Sequence, residues 1–272
     1  MGAHREDVTT WEFLRVETRG ASEKVWLSEP GGSSTRPETH WLFKPATIQS
    51  NGNRQVGDWA EAAAATIAEH LDVPAAKAQL AVRDGVEGVI TRNVRPAEYD
   101  MDTGRLAMLD RIDVELRDSL RDRSASIGHS LENIRRTLDG YVAPPQGASC
   151  AACAAYDVFV GYLILDALIG NGDRHEQNWS VLRARSSEGP ADALARRFDG
   201  DVKTPLVDLA ARATRNCTDA GRARIASLLE SIARADFEAM LARHGGVSEV
   251  TRRFAGAVLE INGRRIHDAI RA

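Results

Sequence analysis

Lysine is almost missing from this chain of 272 residues: Lys24, Lys44, Lys77 and Lys203 are the whole set, and the rest of its 35 basic residues are arginine. A lysine in a chemically apt position therefore carries more weight than it would in a lysine-rich protein. Cysteine is equally scarce, and Cys150, Cys153 and Cys217 are too few for a disulfide framework. Cys150-Ala-Ala-Cys153 has the spacing of half a zinc site, but no second pair of Cys or His follows at suitable spacing, so packing at a helix start is the expected role. The net charge of -4 and the lack of any basic cluster interleaved with aromatics argue against nucleic acid as a partner. No apolar run approaches the roughly 18 residues of a membrane span, and Arg5, Glu6 and Asp7 interrupt any signal-peptide core. These absences lead to the expectation of a cytoplasmic protein with no membrane contact, long enough for one large domain or two lobes.

What is present centres on Leu163-Ile-Leu-Asp-Ala-Leu-Ile-Gly-Asn-Gly-Asp-Arg-His-Glu-Gln-Asn-Trp-Ser-Val-Leu182. An apolar helical run stops at Gly170, a short polar turn carries Asp173 and Asn178, and an apolar segment resumes at Trp179. Phosphoryl transfer needs a carboxylate beside the acceptor hydroxyl and a neutral oxygen ligand for Mg2+, and D-x-x-x-x-N supplies both on one loop. Taken alone, that spacing also fits a surface turn in which Asp and Asn act as turn formers. Arg174 and His175 are expected to pin the loop through hydrogen bonds to carbonyls or carboxylates, and Asp166, on an apolar helix face, either to accept hydrogen bonds from the loop, with His175 as the candidate donor, or to face solvent.

The string Gly-Asn-Gly-Asp-Arg-His-Glu-Gln-Asn resembles the catalytic loop of the HipA-like serine/threonine kinases, which reads N-x-D-R-H-x-x-N after an apolar helix. The resemblance runs from about Arg19 to Leu182. Gly20-Ala-Ser-Glu-Lys24 is similar to the family's G-A-x-E-K loop, which implies a phosphate-binding role for Gly20, Ala21, Ser22 and Lys24; glycine there lets backbone N-H groups approach phosphate without a Cβ in the way. One departure is Glu17, which stands where relatives carry a regulatory serine.

The segments around that loop read as strands. Thr10 to Glu17 alternates as a first strand, Pro30 to Pro37 is a hairpin connection, and His40-Trp-Leu-Phe-Lys-Pro45 is a short apolar strand bearing Lys44. An amine in such a strand either snorkels to water or has a partner; the family's F-x-K-P strand implies that its partners are the nucleotide's phosphates and a helix carboxylate. Asp58 to Leu71 is an alanine-rich helix capped by Asp58 and stopped before Pro74. Its Glu61 is the carboxylate to pair with Lys44, with Glu69 as competitor and dipole complementation as the plainer role. A hairpin follows, from Ala75 to Val82 and from Gly88 to Arg95, placing Thr91 and Arg92 by order alone where adenine is received in such kinases.

From Pro96 onward the pattern is helical. Thr103 to Arg123 and Ser130 to Leu138 are amphipathic, the second with a Ser cap; Ala151 to Ile169 forms the central helix; and further helices cover 206–214, 219–233, 236–244 and 248–269. The second metal carboxylate that the family resemblance implies is Asp199, in Arg196-Arg-Phe-Asp-Gly-Asp201. Its spacing after Asp173 fits, but no apolar strand delivers it and the family's S-L-G-like continuation is absent.

The resulting expectation is an α+β, bilobal, protein-kinase-like fold. A β-rich N-lobe (1–95) and a mostly helical C-lobe (96–272) would make one HipA-like kinase domain, with Lys44 and the turn after Ile169 facing one nucleotide. The implied activity is transfer of the γ-phosphoryl group of ATP, with Mg2+, to a serine or threonine hydroxyl of a protein or peptide. Lys44, Asp173 and Asn178 would be catalytic, and Asn178 and Asp199 would bind metal. Two other readings fit the same residues: a nucleotide-binding pseudokinase with an incomplete metal site, and a small-molecule phosphotransferase, which shares the D-x-x-x-x-N loop.

Overall fold

The computed structural model describes residues 5–17, 24–112, 128–144, 152–172, 174–184 and 204–272. Its strands are β1 (Glu6–Asp7), β2 (Glu12–Glu17), β3 (Lys24–Ser28), β4 (His40–Pro45), β5 (Ala78–Arg83), β6 (Val86–Arg92), β7 (Tyr99–Thr103) and β8 (Ser180–Ala184). The described helices are α1 (Gly57–His70), α2 (Gly104–Arg111), α3 (Leu131–Thr137), α4 (Ala155–Ile169), α5 (Leu206–Thr214), α6 (Asp219–Arg234), α7 (Phe237–Ala242) and α8 (Glu249–Arg271). The chain divides into two compact units: Met1–His70, Ala75–Ala97 and Asp236–Ala257 form one, and Leu71–Pro74, Glu98–Ala235 and Val258–Ala272 the other.

The first unit is built on a six-stranded sheet in the order β1-β5-β6-β4-β3-β2, antiparallel except where the two-residue β1 runs parallel to β5. Side chains alternate between the faces of a strand, so Trp41 and Phe43 of β4 enter a buried cluster with Val8, Leu27, Ala81 and Ile90. Leu42 and Lys44 are thereby turned to the other face. There α1 sets Ala62 against Leu80 and Val89, its small side chains allowing helix and sheet to approach closely. The β5–β6 turn, Asp84-Gly85, has φ of 51° and 77°, the primed geometry that suits the twist of a hairpin. Gly88 is required for a different reason: a Cβ there would lie 2.2 Å from the carbonyl oxygen of Lys44.

Asp58 is not the cap of α1. It is the second helical residue, buried, and its carboxylate is held by Arg54 and, at 3.5 Å, by Arg5, so it acts in the first turn through charge. The other side of α1 meets the α7 region, where Trp59 Nε1 donates to the His244 carbonyl at 3.0 Å and the Thr66 hydroxyl lies 2.8 Å from His244 Nε2.

The second unit contains a strand where a helical register was expected. Tyr99–Thr103 forms β7, which pairs antiparallel with β8 so that Thr103 lies opposite Ser180. The helix begins only after it, at Gly104, with the Thr103 hydroxyl accepting from Leu106 N-H. The continuation expected to Arg123 is described only as far as Ile112. Ser130 caps α3 by accepting from Asn133 N-H at 3.2 Å, as its sequence signature implies. Helix α4 is buried nearly all round, as an apolar run without a polar face must be, and begins at Ala155 rather than Ala151. It ends on Gly170, whose φ of 72° is the left-handed cap that glycine adopts without strain. Cys153, just before α4, is buried and disulfide-bonded, while Cys217 is a buried free thiol; Cys150 lies outside the described residues. Helices α5, α6 and α8 fall within a few residues of their expected spans, and α7 is a shorter helix capped by Asp236, which accepts from Ala239 N-H at 2.9 Å. Among the described residues no helix is long and apolar enough to cross a membrane.

Candidate functional site

Three elements of the first unit each contribute one side chain to a polar group on the α1-covered face of the sheet. Lys44 of β4 donates from Nζ to both carboxylate oxygens of Glu61, at 2.7 and 3.0 Å. Thr91 of β6 donates its hydroxyl to Glu61 Oε1 at 2.6 Å. Local rules account for the meeting: Lys44 is the register partner of Val89, Thr91 lies two residues further along the same strand, and both therefore share the face that α1 covers. The Lys44 and Glu61 side chains keep 30% and 31% of their surface in water. Glu69, the competing carboxylate, is exposed near the end of α1.

Arg92 is not brought to this group. One residue on from Thr91, it turns to the opposite face, where its guanidinium lies over Trp41 at 5.7 Å and bonds to Glu29 at 3.2 Å and to the Glu38 carbonyl at 2.8 Å. Lys24 opens β3 opposite Glu17, two residues before Trp26, which is the register partner of Leu42; the alternation therefore puts Lys24 on the face that carries Lys44. Gly20, Ala21 and Ser22 lie outside the described residues.

In the second unit the polar turn after α4 is tied to a buried acid. Asp166 is fully buried. It receives Arg174 through Nε and Nη2, one to each oxygen, and Asn171 Nδ2 at 2.8 Å. Burial pushes the Asp166 carboxyl above the usual carboxylate range, against the opposing pull of Arg174 and Asn171. The donor expected here was His175, but the planar fork of Arg174 matches a carboxylate in a way an imidazole cannot. His175 instead accepts from Gln177 N-H at Nδ1, 3.0 Å away, and its carbonyl accepts Asn178 N-H at 2.8 Å. Asn178 is exposed in that turn, and Asp173 and Asp199 lie outside the described residues. Among the described residues no group of three His, Cys, Asp or Glu side chains could hold a metal ion.

The far end of the turn is anchored by residues that sequence reasoning passed over. Trp179, directly after Asn178, is 1% exposed and donates from Nε1 to His129 Nε2 at 3.0 Å. His129 is fully buried, and burial with the neighbouring His175 pushes its imidazole down to about 3, so it stays neutral and accepts at Nε2. Gly104 leaves room for the indole: a Cβ there would lie 1.9 Å from Trp179. Arg105 meets Glu176 at 2.9 Å, with both side chains mostly buried. The only sequence hint of this anchor is the tryptophan at the point where the apolar pattern resumes.

Lys44 fits a phosphate group, since its ammonium has one more N-H than the two given to Glu61 and stands partly in water. Residues 16–200 match the family described as HipA-like C-terminal domain. The chain belongs to this family. Its structure is similar to the crystal structure of a Helicobacter pylori proinflammatory kinase, CtkA, with a TM-score of 0.62 over 98% of both chains at 17% identity. A second similar structure is HipA of Shewanella oneidensis MR-1, from a toxin-antitoxin complex with HipB and operator DNA, with a TM-score of 0.48 and 12% identity over 95% of this chain and 67% of that one. No curated protein matches the chain. As a HipA-like chain it has the mixed α+β, kinase-like fold, a β-rich N-terminal sheet followed by a helical C-terminal part.

Proposed function

We propose that this HipA-like chain is an ATP-dependent serine/threonine kinase, with residues 1–95 and 96–272 as the two lobes of one kinase domain. The observation that carries the reading is the Lys44–Glu61–Thr91 group, a scarce lysine held by a helix carboxylate on a sheet face and left partly in water. ATP supplies the phosphoryl group, and Mg2+ neutralises charge on its phosphates. Lys44 holds phosphate oxygens, Glu61 and Thr91 keep it oriented, and the Gly20-Ala-Ser-Glu-Lys24 loop presents backbone N-H groups to the same phosphates. Asp173 positions the acceptor hydroxyl and takes its proton, and Asn178 and Asp199 are oxygen ligands for the metal. Arg174 has no such role, since Asp166 occupies its guanidinium and fixes the backbone on the C-terminal side of Asp173. The acceptor is a protein or peptide serine or threonine.

The test is Asp173→Ala. Release of ADP in the presence of peptide and Mg2+ should fall to background while ATP binding persists, and unchanged turnover would reject the assignment. The sequence around Asp199, with no apolar strand leading to it, favours a second reading, a nucleotide-binding pseudokinase. Mg2+-dependent ATP binding by the unaltered protein without any ADP release would select it.

A further inference from the structure

Helix α8 carries two apolar seams on opposite sides. The inward one runs through Gly256, Leu259, Gly263 and Ile266; Leu259 is 5% exposed and Ile266 fully buried, and a Cβ on Gly263 would come within 2.8 Å of Ile232. Asn262 Nδ2 adds a hydrogen bond to the Leu168 carbonyl at 3.0 Å. The outward seam is Val250, Phe254, Ala257 and Ile261, with Val250 77%, Phe254 70% and Ile261 49% exposed. Single exposed apolar residues are ordinary, but a line of them along one helix is a patch that marks contact with something else. Their spacing of four, three and four residues is that of the a and d positions of paired helices.

The seam is complementary to itself when reversed. In an antiparallel pair, Val250 lies against Ile261 of a second copy and Phe254 against Ala257 of that copy, so the largest side chain meets the smallest. Arg253 and Glu260 each flank the seam one residue before Phe254 and Ile261, and reversal puts Arg253 beside Glu260 of the second copy, twice by symmetry. Both are exposed, and among the described residues Arg253 pairs with the exposed Glu249 and Glu238, at 3.1 and 3.8 Å. A parallel pair would instead stack Phe254 on Phe254 and extend the seam to bring Arg264 against Arg264.

We propose that the outward seam of α8 binds a second copy of this chain in an antiparallel homodimer. Four layers make a short interface, so association is weak and concentration-dependent. Sedimentation velocity of the full chain across a wide concentration range should show its mass rising from monomer toward dimer. Phe254→Glu should hold it monomeric with its unfolding midpoint kept, and Ile261→Glu should do the same. Arg253→Glu should weaken association about tenfold by turning two exposed attractions into repulsions, and adding Glu260→Arg should restore it. Three outcomes would overturn the dimer: a monomer at every concentration, a dimer indifferent to Phe254→Glu, or a charge swap that fails to rescue. Phe254-dependent binding of a monomer to phosphatidylglycerol vesicles would overturn it too, by giving the seam to a membrane.

Discussion

Two ion pairs, one in each unit, put the same chemistry to opposite uses. Lys44 and Glu61 meet with nearly a third of each side chain in water, whereas Arg174 closes on an Asp166 that has no exposed surface. A wet pair adds little to stability, so the value of Lys44–Glu61 lies in holding a charge in place while leaving it able to take another partner. A dry pair is different, because neither charge can leave without stranding the other. Asp166 therefore fixes the shape of a backbone turn, and Lys44 offers a binding group.

The contrast can be broken most severely at its dry end. Asp166→Ala leaves Arg174 beside a buried void and should cost about 3–5 kcal/mol in urea unfolding, while replacing both residues with leucine should recover much of that loss. A second buried group sharpens the dry side through pH. Burial holds His129 at about 3, so its contribution to stability is complete above the unfolded value near 6.5 and is lost as pH falls from there toward 3. Between pH 6.5 and 5 stability should drop by up to about 1.4 kcal/mol per unit, and His129→Gln, which can still accept from Trp179, should flatten that slope in thermal or urea titrations. At the wet end, Lys44→Met should move unfolding stability by no more than about 1 kcal/mol while sharply weakening ATP binding measured by calorimetry. Thr91→Val should have the smallest effect on ATP binding, a modest rise in the dissociation constant, while the loss of one hydrogen bond lowers unfolding stability by about 0.5–1.5 kcal/mol.

Local pattern made most of this legible. Period-two alternation placed Lys44 on a strand, alanine content and Pro74 bounded α1, and the Ser130 cap and Gly170 stop marked helix ends. What stayed hidden depends on distant partners. Tyr99-Asp-Met-Asp-Thr103 lacks an apolar alternation, and becomes β7 only because β8 lies beyond the turn to pair with it. Glu6–Asp7 is too short to read as a strand without β5 beside it. His129 and Trp179 are 50 positions apart, and nothing in either neighbourhood announces the other. The partner of Asp166 was mistaken because both Arg174 and His175 can donate, and only the geometry of the turn chooses between them.

The pairing of Thr103 with Ser180 has a consequence for how the molecule is assembled. Everything from α2 through the Asp166 turn lies on the stretch of chain enclosed by that clasp, so closing it requires a long-range encounter whose entropic cost grows with the length enclosed. The β5–β6 hairpin, by contrast, closes across two residues. The β5–β6 hairpin is therefore expected to gain protection from hydrogen exchange early in refolding, and the strands bracketing the turn to gain it late.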